Sequence, residues 1–227
     1  MCLSKMIAEL NEELQDQTPA EACSSENKNA SVGGNRMYRF IKRVFDVVGS
    51  LIGGLILLIP MVLVGVMIRI DSPGPVIFKQ KRMGKNGEIF TIYKFRTMYE
   101  SSPDNMSTNQ LDGAHMYVTK IGSILRKTSI DELPQLINVL RGDMSLVGYR
   151  PVCITETELN EMRKQNGVFA VRPGITGLAQ VSGRDNIVDY HTKVQLDTQY
   201  VRNCSLKLDI WCILKTFKVV FSGEGAK

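Results

Sequence analysis

The sequence predicts an α+β, mostly helical chain. It has an N-terminal re-entrant membrane helix, a short β-hairpin, and a helical cytoplasmic domain lying on the membrane surface. Three observations predict it. From Val47 to Ile68 there are 22 positions without a charge, and a helix needs about 20 apolar residues to cross a bilayer. Two strand-like runs then flank Asn86-Gly87. Beyond them, apolar residues recur at the three- and four-residue spacing of a helix face. The implied divisions are an acidic tail over 1–35, the membrane helix over 36–71, and the cytoplasmic domain over 72–227.

The tail comes first. Lys5 and Lys28 stand against Glu9, Glu12, Glu13, Asp16, Glu21 and Glu26, a net charge of −4 within a chain of net +5. Leu3, Met6, Ile7, Leu10 and Leu14 suit a short amphipathic helix, and the polar run from Thr18 to Asn35 suits disorder. No secretory signal is visible. The rest of the chain carries +9, which points to an anionic partner such as phosphates or a lipid surface, or else to a solvated basic face. A hydrophobic content of 44% excludes a wholly disordered chain. Five cysteines with no Cys-x-x-Cys pair exclude the usual zinc and disulfide frameworks and fit a reducing compartment.

Both flanks of the apolar run are basic: Arg36, Arg39, Lys42 and Arg43 before it, Arg69, Lys79, Lys81, Arg82 and Lys85 after it. Positive flanks favour the cytoplasmic side, and here both do. Pro60 removes one helical hydrogen bond and crowds the preceding turn. A helix that enters, bends at Pro60 and leaves on the same face satisfies both facts. A simple kinked span and a buried core helix are the alternatives.

Ser72 to Pro75 reads as a turn. Val76 and Phe78, then Ile89 to Tyr93, suit strands, and Asn86-Gly87 suits a tight hairpin turn. The hairpin delivers Lys94 and Arg96. The polar loop from Glu100 to Gly113 is a lid or a tolerated insertion. Thr119 to Leu140 is mainly helical, with Leu133, Leu136, Ile137 and Leu140 on one face and Gly142 as the stop. A polar helix follows over Ile154 to Gln165. RPGITGLAQVSGRD is a glycine-punctuated loop, and Val188 to Phe221 reads as helix. Its apolar stretch, Leu206 to Phe221, either lies on the membrane or closes the core.

Asp131 and Glu132 start the segment TSIDELPQLINVL. Ser129-x-x-Glu132 matches a capping box. Starting the helix at Asp131 instead makes Asp131 the N-cap and puts Pro134 where no donor is needed. The same place suits catalysis. The positive end of a helix keeps a carboxylate ionised and holds phosphate. A carboxylate can attack phosphorus, provided cations offset the charge on the transferred group. Lys94, Arg96, Arg126, Arg150, Arg172 and Arg184 are the candidates. Mg²⁺ suits a site of carboxylate and phosphate oxygens, with Asp131 and Glu132 as its protein ligands.

These pieces resemble the bacterial sugar transferases, the small monotopic phosphoglycosyl transferases. The resemblance rests on KRVFDVVGS at Lys42, SPGPVIFKQKRMGKNGEIFTIYKFRTM at Ser72, GSILRKTSIDELPQLINVLRGDMSLVGYRP at Gly122, RPGITGLAQVSGR at Arg172 and LDTQYVRNCSLKLDI at Leu196. It covers about Arg36 to the C-terminus. It implies a ping-pong reaction at the bacterial inner membrane, the first step of surface glycan assembly such as exopolysaccharide, capsule or O-antigen. An aspartate takes a phosphosugar from a UDP-sugar, releasing UMP, and passes it to polyprenol phosphate (undecaprenyl phosphate). By resemblance Asp131 is the nucleophile and Glu132 its acidic partner near Mg²⁺. Lys94, Arg126 and Arg184 contact phosphate, Arg150 lies near the nucleotide, and Asp197 and Asp209 match acidic positions. Membrane lipid is a further partner, nucleic acid is not, and a homodimer is left open. Two departures stand out: Tyr149 replaces the family proline before Arg150, and Ile59 replaces the serine before Pro60. The competing class is a basic membrane-anchored scaffold that binds anionic lipid or nucleic acid without turnover. An acidic pair among the cations argues against it.

Overall fold

The computed structural model describes residues 33–102, 114–183 and 189–222. Helix α1 runs from Arg36 to Asp71. Asn35 caps it, its side chain accepting from the Tyr38 N–H at 2.8 Å. The Ser72 N–H closes the last turn on the Ile68 carbonyl at 3.1 Å, before Pro73 and Gly74. Pro60 lies inside one continuous helix, not at a break between two.

One stripe of α1 is covered: Lys42, Asp46, Ser50, Gly53, Leu57, Met61, Val64, Ile68 and Asp71, at spacings of three or four, are buried or half-buried. Between Val47 and Met67 most of the rest is apolar and exposed, with Leu55 74% and Ile59 72% accessible. Both ends are bonded to the folded body. Near the start, Arg43 donates to the Val139 and Leu140 carbonyls at 2.7 and 3.0 Å. Asp46 accepts from the Ser145 hydroxyl and the Leu146 N–H, each at 3.0 Å. At the far end Asp71 accepts from the Ile121 N–H at 3.1 Å.

Strands β1 (Ile77–Met83) and β2 (Ile89–Phe95) pair antiparallel, Ile77 opposite Phe95 and Met83 opposite Ile89. The connection needs positive φ at Asn86 (56°) and Gly87 (79°), which an Asn-Gly pair supplies at little cost. β2 is the inner strand. Its Phe95 joins Ile68 of α1 and Leu125 in one core cluster. Its Ile92 joins Val139 and Met144 in another.

Helix α2 (Lys120–Thr128) starts at Thr119, whose hydroxyl accepts from the Gly122 N–H at 2.9 Å. A Cβ at Gly122 would come within 2.1 Å of the Thr97 carbonyl oxygen, so only glycine lets α2 approach the hairpin here. A 3-10 segment (Ile130–Gln135) leads into α3 (Leu136–Arg141). Gly142, at φ 94°, stops α3 as the sequence implied. Leu133 and Leu136 face α1. Ile137 and Leu140 are 45% and 37% exposed, so the apolar face of α3 continues onto the surface.

Beyond α3 the structure departs from the sequence reading. Ser145–Val147 (β3) pairs in parallel with Gly174–Thr176 (β4). The presumed loop at RPGITGLAQVSG is therefore partly strand, and Leu178–Gly183 is a short helix, α5. Glycines make the crossing possible: a Cβ at Gly177 would lie 1.8 Å from the Gly148 carbonyl oxygen. α4 spans Thr157–Gln165. The C-terminal helix is two helices, α6 (Tyr190–Asn203) and α7 (Leu206–Ser222). They break at Ser205, whose hydroxyl accepts from the Leu208 N–H at 3.3 Å, the role of a helix cap.

Asp209 of α7, 1% exposed, ties these helices together. It accepts from Tyr38 Oη at 2.9 Å and Lys42 Nζ at 3.0 Å on α1, and from Tyr200 Oη at 2.7 Å on α6. Removing one partner of a buried pair costs about 3–5 kcal/mol. Asp209→Ala is therefore expected to lower Tm by about 2–4 °C for each of those kcal/mol, and Asp209→Asn by less. A loss below about 1 kcal/mol, the usual ceiling for an exposed pair, would contradict this role.

Candidate active site

The segment from Thr128 to Leu140 does not form the single capped helix that the sequence suggested. α2 ends at Thr128, and Ser129 turns left-handed (φ 57°), its N–H bonded to the Arg126 and Leu125 carbonyls. Asn86 and Ser129 are the two non-glycine residues at positive φ among those described. Neither Ser129 nor Asp131 works as a side-chain cap. Asp131 and Glu132 sit in the first turn of the 3-10 segment, and Pro134 lies within it. The sharp turn at Ser129 lays this segment against β2.

β2 supplies Lys94. Its Nζ lies 2.8 Å from Glu132 Oε1 and 3.9 Å from Asp131 Oδ2. Arg150, in the loop after β3, reaches the same carboxylate with two nitrogens: NH2 to Oε1 at 2.6 Å and NH1 to Oε2 at 3.3 Å. Arg126 of α2 donates to Thr97 Oγ1 at 2.8 Å and acts electrostatically on Asp131. Lys94, Arg126 and Arg150 thus converge on the dyad.

The two carboxylates differ. Burial would raise the Glu132 carboxyl, but Arg150 and Lys94 outweigh it and hold the group well below the usual range. Glu132 is bound up in fixing the cations. For Asp131, 9% exposed, burial prevails over Lys94 and, helped by the neighbouring Glu132 charge, pushes the carboxyl up. Its ion pair is the long one. The two side chains are equally exposed, at 13%, so what sets Asp131 apart is that it is the less neutralised oxygen donor, the condition that keeps a carboxylate reactive.

Arg82 belongs here too, and the sequence reading passed over it. Burial lowers its affinity for a proton, and its surrounding charges include Arg150, Glu156 and Glu132. Its Nε is buried without a hydrogen-bond partner. The signal was available. Residues 78, 80 and 82 stand opposite 94, 92 and 90, and side chains alternate along a strand, so Arg82 and Lys94 share a face of the hairpin.

Other candidates lie in other contacts. Arg96 is 6% exposed and donates to the Ser72 carbonyl and hydroxyl and the Pro73 carbonyl, holding the turn after α1. Asp197 makes a buried 2.6 Å ion pair with Arg163. Arg163 in turn donates to the Arg150 carbonyl at 2.9 Å and lies over the Tyr149 ring at 5.2 Å. Asp209 is the helix tie described above. Arg172 donates to the Gly142 carbonyl at 2.7 Å, in a separate cationic pocket. Arg184 lies outside the described residues. Among the described residues no group of three or more His, Cys, Asp or Glu side chains surrounds a point. The oxygen donors at the dyad are two adjacent carboxylates, of which Glu132 has both oxygens bonded by Lys94 and Arg150 and Asp131 is the less engaged. That fits Mg²⁺, which is usually held by one or two carboxylates with phosphate oxygens completing the shell.

The fold and site define a helix-anchored α+β protein whose buried acidic pair is ringed by cations. The bacterial sugar transferase family matches residues 37–223, and the chain belongs to it. A galactosyl transferase, CpsE, of Streptococcus agalactiae serotype III (strain NEM316) is 48% identical over 82% of the chain and 43% of its own length. The undecaprenyl-phosphate galactose phosphotransferase of Salmonella typhimurium (strain LT2) is 40% identical over 84% of the chain and 42% of its own. The chain thus spans less than half of these relatives. By contrast it spans 87% of the exopolysaccharide production protein ExoY of Rhizobium meliloti (strain 1021), at 40% identity over 82% of the chain.

The opposite environments of the dyad predict opposite effects on stability. At pH 7 Asp131→Asn should raise Tm, because it removes a charge that burial disfavours. Glu132→Gln should lower stability by about 1–3 kcal/mol, and Tm with it, toward the low end because the Arg150 side chain is 48% exposed. A raised folded pKa makes the Asp131 cost vanish below about 3.9, where an unfolded aspartate is already protonated. A depressed folded pKa makes the Glu132 contribution persist above about 4.3 and fade as pH falls through the folded value. Thermal melts from pH 3 to pH 8 check both, and shifts of the same sign at pH 7 would refute the division.

Proposed function

We propose that the chain is a membrane phosphoglycosyl transferase acting through an aspartyl phosphosugar. The observation that carries this reading is the unequal dyad: Asp131 buried and weakly paired, beside Glu132 held by Lys94 and Arg150. Asp131 Oδ attacks the β-phosphorus of a UDP-sugar. A bond forms from that oxygen to phosphorus, the bond to the bridging oxygen breaks, and UMP leaves. A phosphate oxygen of polyprenol phosphate then attacks the same phosphorus and releases Asp131. The product is a polyprenol diphosphate sugar. Lys94 and Arg126 face the transferred phosphoryl oxygens, and Arg150, braced by Glu132, orients the nucleotide diphosphate. Asp131 and Glu132 would hold Mg²⁺, which supplies Lewis-acid polarisation of phosphate oxygens. The names of the relatives support a lipid-phosphate acceptor and a role in exopolysaccharide or other surface glycan assembly. A non-catalytic scaffold accounts for the basic surface but gives no reason for a buried acidic pair among the cations.

The reading includes a place at the cytoplasmic face of the bacterial inner membrane. From Asp46 to Asp71 a helix rises about 38 Å, more than the bilayer core of about 30 Å. A perpendicular span would separate these residues across the membrane, yet both bond to one folded body. A monotopic helix, entering and leaving on one side with its bare apolar face in lipid, reconciles the two. Single cysteines in place of Ser31 and Ser101, in a cysteine-free background, test it. Neither should react with an impermeant reagent until cells are lysed. Labelling of the first alone in intact cells would establish a span.

With UDP-sugar alone, intact-mass measurement should find one phosphosugar added and UMP released. Asp131→Asn should abolish the adduct, and an adduct that survives it would place the nucleophile elsewhere. Lys94→Ala and Arg126→Ala should each slow UMP release by about a hundred- to a thousandfold, while the protein stays in the membrane fraction.

A further inference from the structure

A second cationic site lies at the entry end of α1. Tyr38, Arg39, Lys42, Arg43 and Asp46 of α1 line a small concavity of about 40 Å³, open to solvent, together with Lys85, Ser145 and Arg172. Asp131, Glu132, Lys94, Arg126 and Arg150 take no part in its lining.

Its charges do not balance. Five cations line it, with Asp46 the one acid of the lining. Asp46 is occupied by Ser145, the Leu146 N–H and, at 4.0 Å, Lys42. Lys42 is also bound to Asp209. Arg43 and Arg172 donate to the last carbonyls of α3 and to Gly142, the negative end of that helix. Among the described residues Arg39 and Lys85 have neither kind of partner, and Glu88 beyond the hairpin turn is a minor influence on Lys85. Burial, then Arg172 and Arg39, push the Lys85 ammonium down. Burial, then Arg43, do the same to Arg172. A concave cluster of mutually repelling, partly desolvated cations is relieved by one anion with several oxygens.

Position indicates its source. Arg39 and Arg43 alternate along α1 with Phe40 and Val44, which are 68% and 48% exposed. Successive residues sit about a quarter-turn apart, so the pocket borders the apolar face. A phosphate in the pocket can continue directly into acyl chains lying along that face. We propose that this pocket binds the phosphate headgroup of an anionic membrane phospholipid and so fixes the depth at which α1 enters the bilayer. The proposal rests on the membrane reading and is independent of the transferase chemistry.

The test uses the full chain in mixed micelles, with phosphatidylcholine, phosphatidylglycerol or inorganic phosphate as probe. Arg39→Gln/Lys85→Gln removes the two cations that, among the described residues, bond to no carboxylate or carbonyl, so the variant should melt at or above the parent Tm in phosphatidylcholine. Phosphatidylglycerol at roughly ten times its Kd should raise the parent Tm by about 3–6 °C, and the double variant should lose most of that rise. Lys81→Gln, which removes an exposed charge outside the pocket, should keep it. Lys85→Gln alone serves as a milder variant if the double one misfolds. The pocket assignment fails if phosphatidylglycerol gives no rise over phosphatidylcholine, if the variants keep the full rise, or if Lys81→Gln loses it equally. An equal rise with inorganic phosphate would overturn the lipid source. A chain that fails to partition into membranes overturns the membrane reading, whereas one that partitions without a phosphatidylglycerol preference overturns only the pocket.

Discussion

The structure depends on holding a helix with a charge-free middle, Val47 to Ile68, against a basic, polar body. An apolar helix has no directional bond to offer along its middle, so orientation must come from its ends. At the entry end Asp46 and Asp209 do this, taking Ser145, Leu146, Tyr38, Lys42 and Tyr200 as partners. At the exit end Asp71 holds α2 and Arg96 holds the turn. Each buried carboxylate meets several donors, the condition under which burying a charge is tolerated. Between these anchors Gly49 lets α1 lie close to the body, since a Cβ there would come within 2.9 Å of Leu146 Cδ1. The anchors therefore place Phe95 and Leu125 against Ile68, and with them the hairpin and α2 that present Lys94 and Arg126.

Within that frame the dyad divides its work. Two adjacent carboxylates with equal access to cations would be neutralised alike. Here Lys94 and Arg150 concentrate on Glu132, and Asp131 is left with the longer contact. The turn at Ser129 produces the asymmetry, because it begins a 3-10 segment whose tighter winding separates neighbouring side chains by about 120° where an α-helix gives about 100°. A capped α-helix, the arrangement suggested by Ser129-x-x-Glu132, would have tied the same acids to backbone N–H groups.

Local signals were legible in the sequence, and long-range ones were not. Asn86-Gly87 between strand-like runs specified the hairpin, and Gly142 the end of α3, because each rests on the φ that one or two residues can adopt. Lys94, Arg126 and Arg150 were recognisable beside the dyad through the family resemblance. The β3–β4 pair was hidden because three-residue strands have no periodicity to detect, and its glycines read as loop. Their real cause is backbone contact between Gly148, Gly174 and Gly177, which needs the partner segment to be known. Arg96 was a candidate as one cation among several, and Asp197 and Asp209 by resemblance alone; their partners in the fold lie in segments distant in sequence. A charged residue in an apolar stretch signals a buried polar partner, and composition does not say whether that partner is a substrate or another side chain.

Tyr149 shows how such a partner can still reach the site. A proline before Arg150 would restrict the backbone by itself. Tyr149 replaces that restraint with packing. It is 1% exposed, with its ring 5.6 Å from that of Phe169 and beneath the Arg163 guanidinium. Arg163 also holds the Arg150 carbonyl and is itself held by Asp197. A chain of contacts thus runs from α6 through α4 to the backbone of the one arginine that grips Glu132 with two nitrogens. Asp197 is in this sense a positioning residue: it is remote from the carboxylate pair, yet it fixes the cation on which the pair's asymmetry depends.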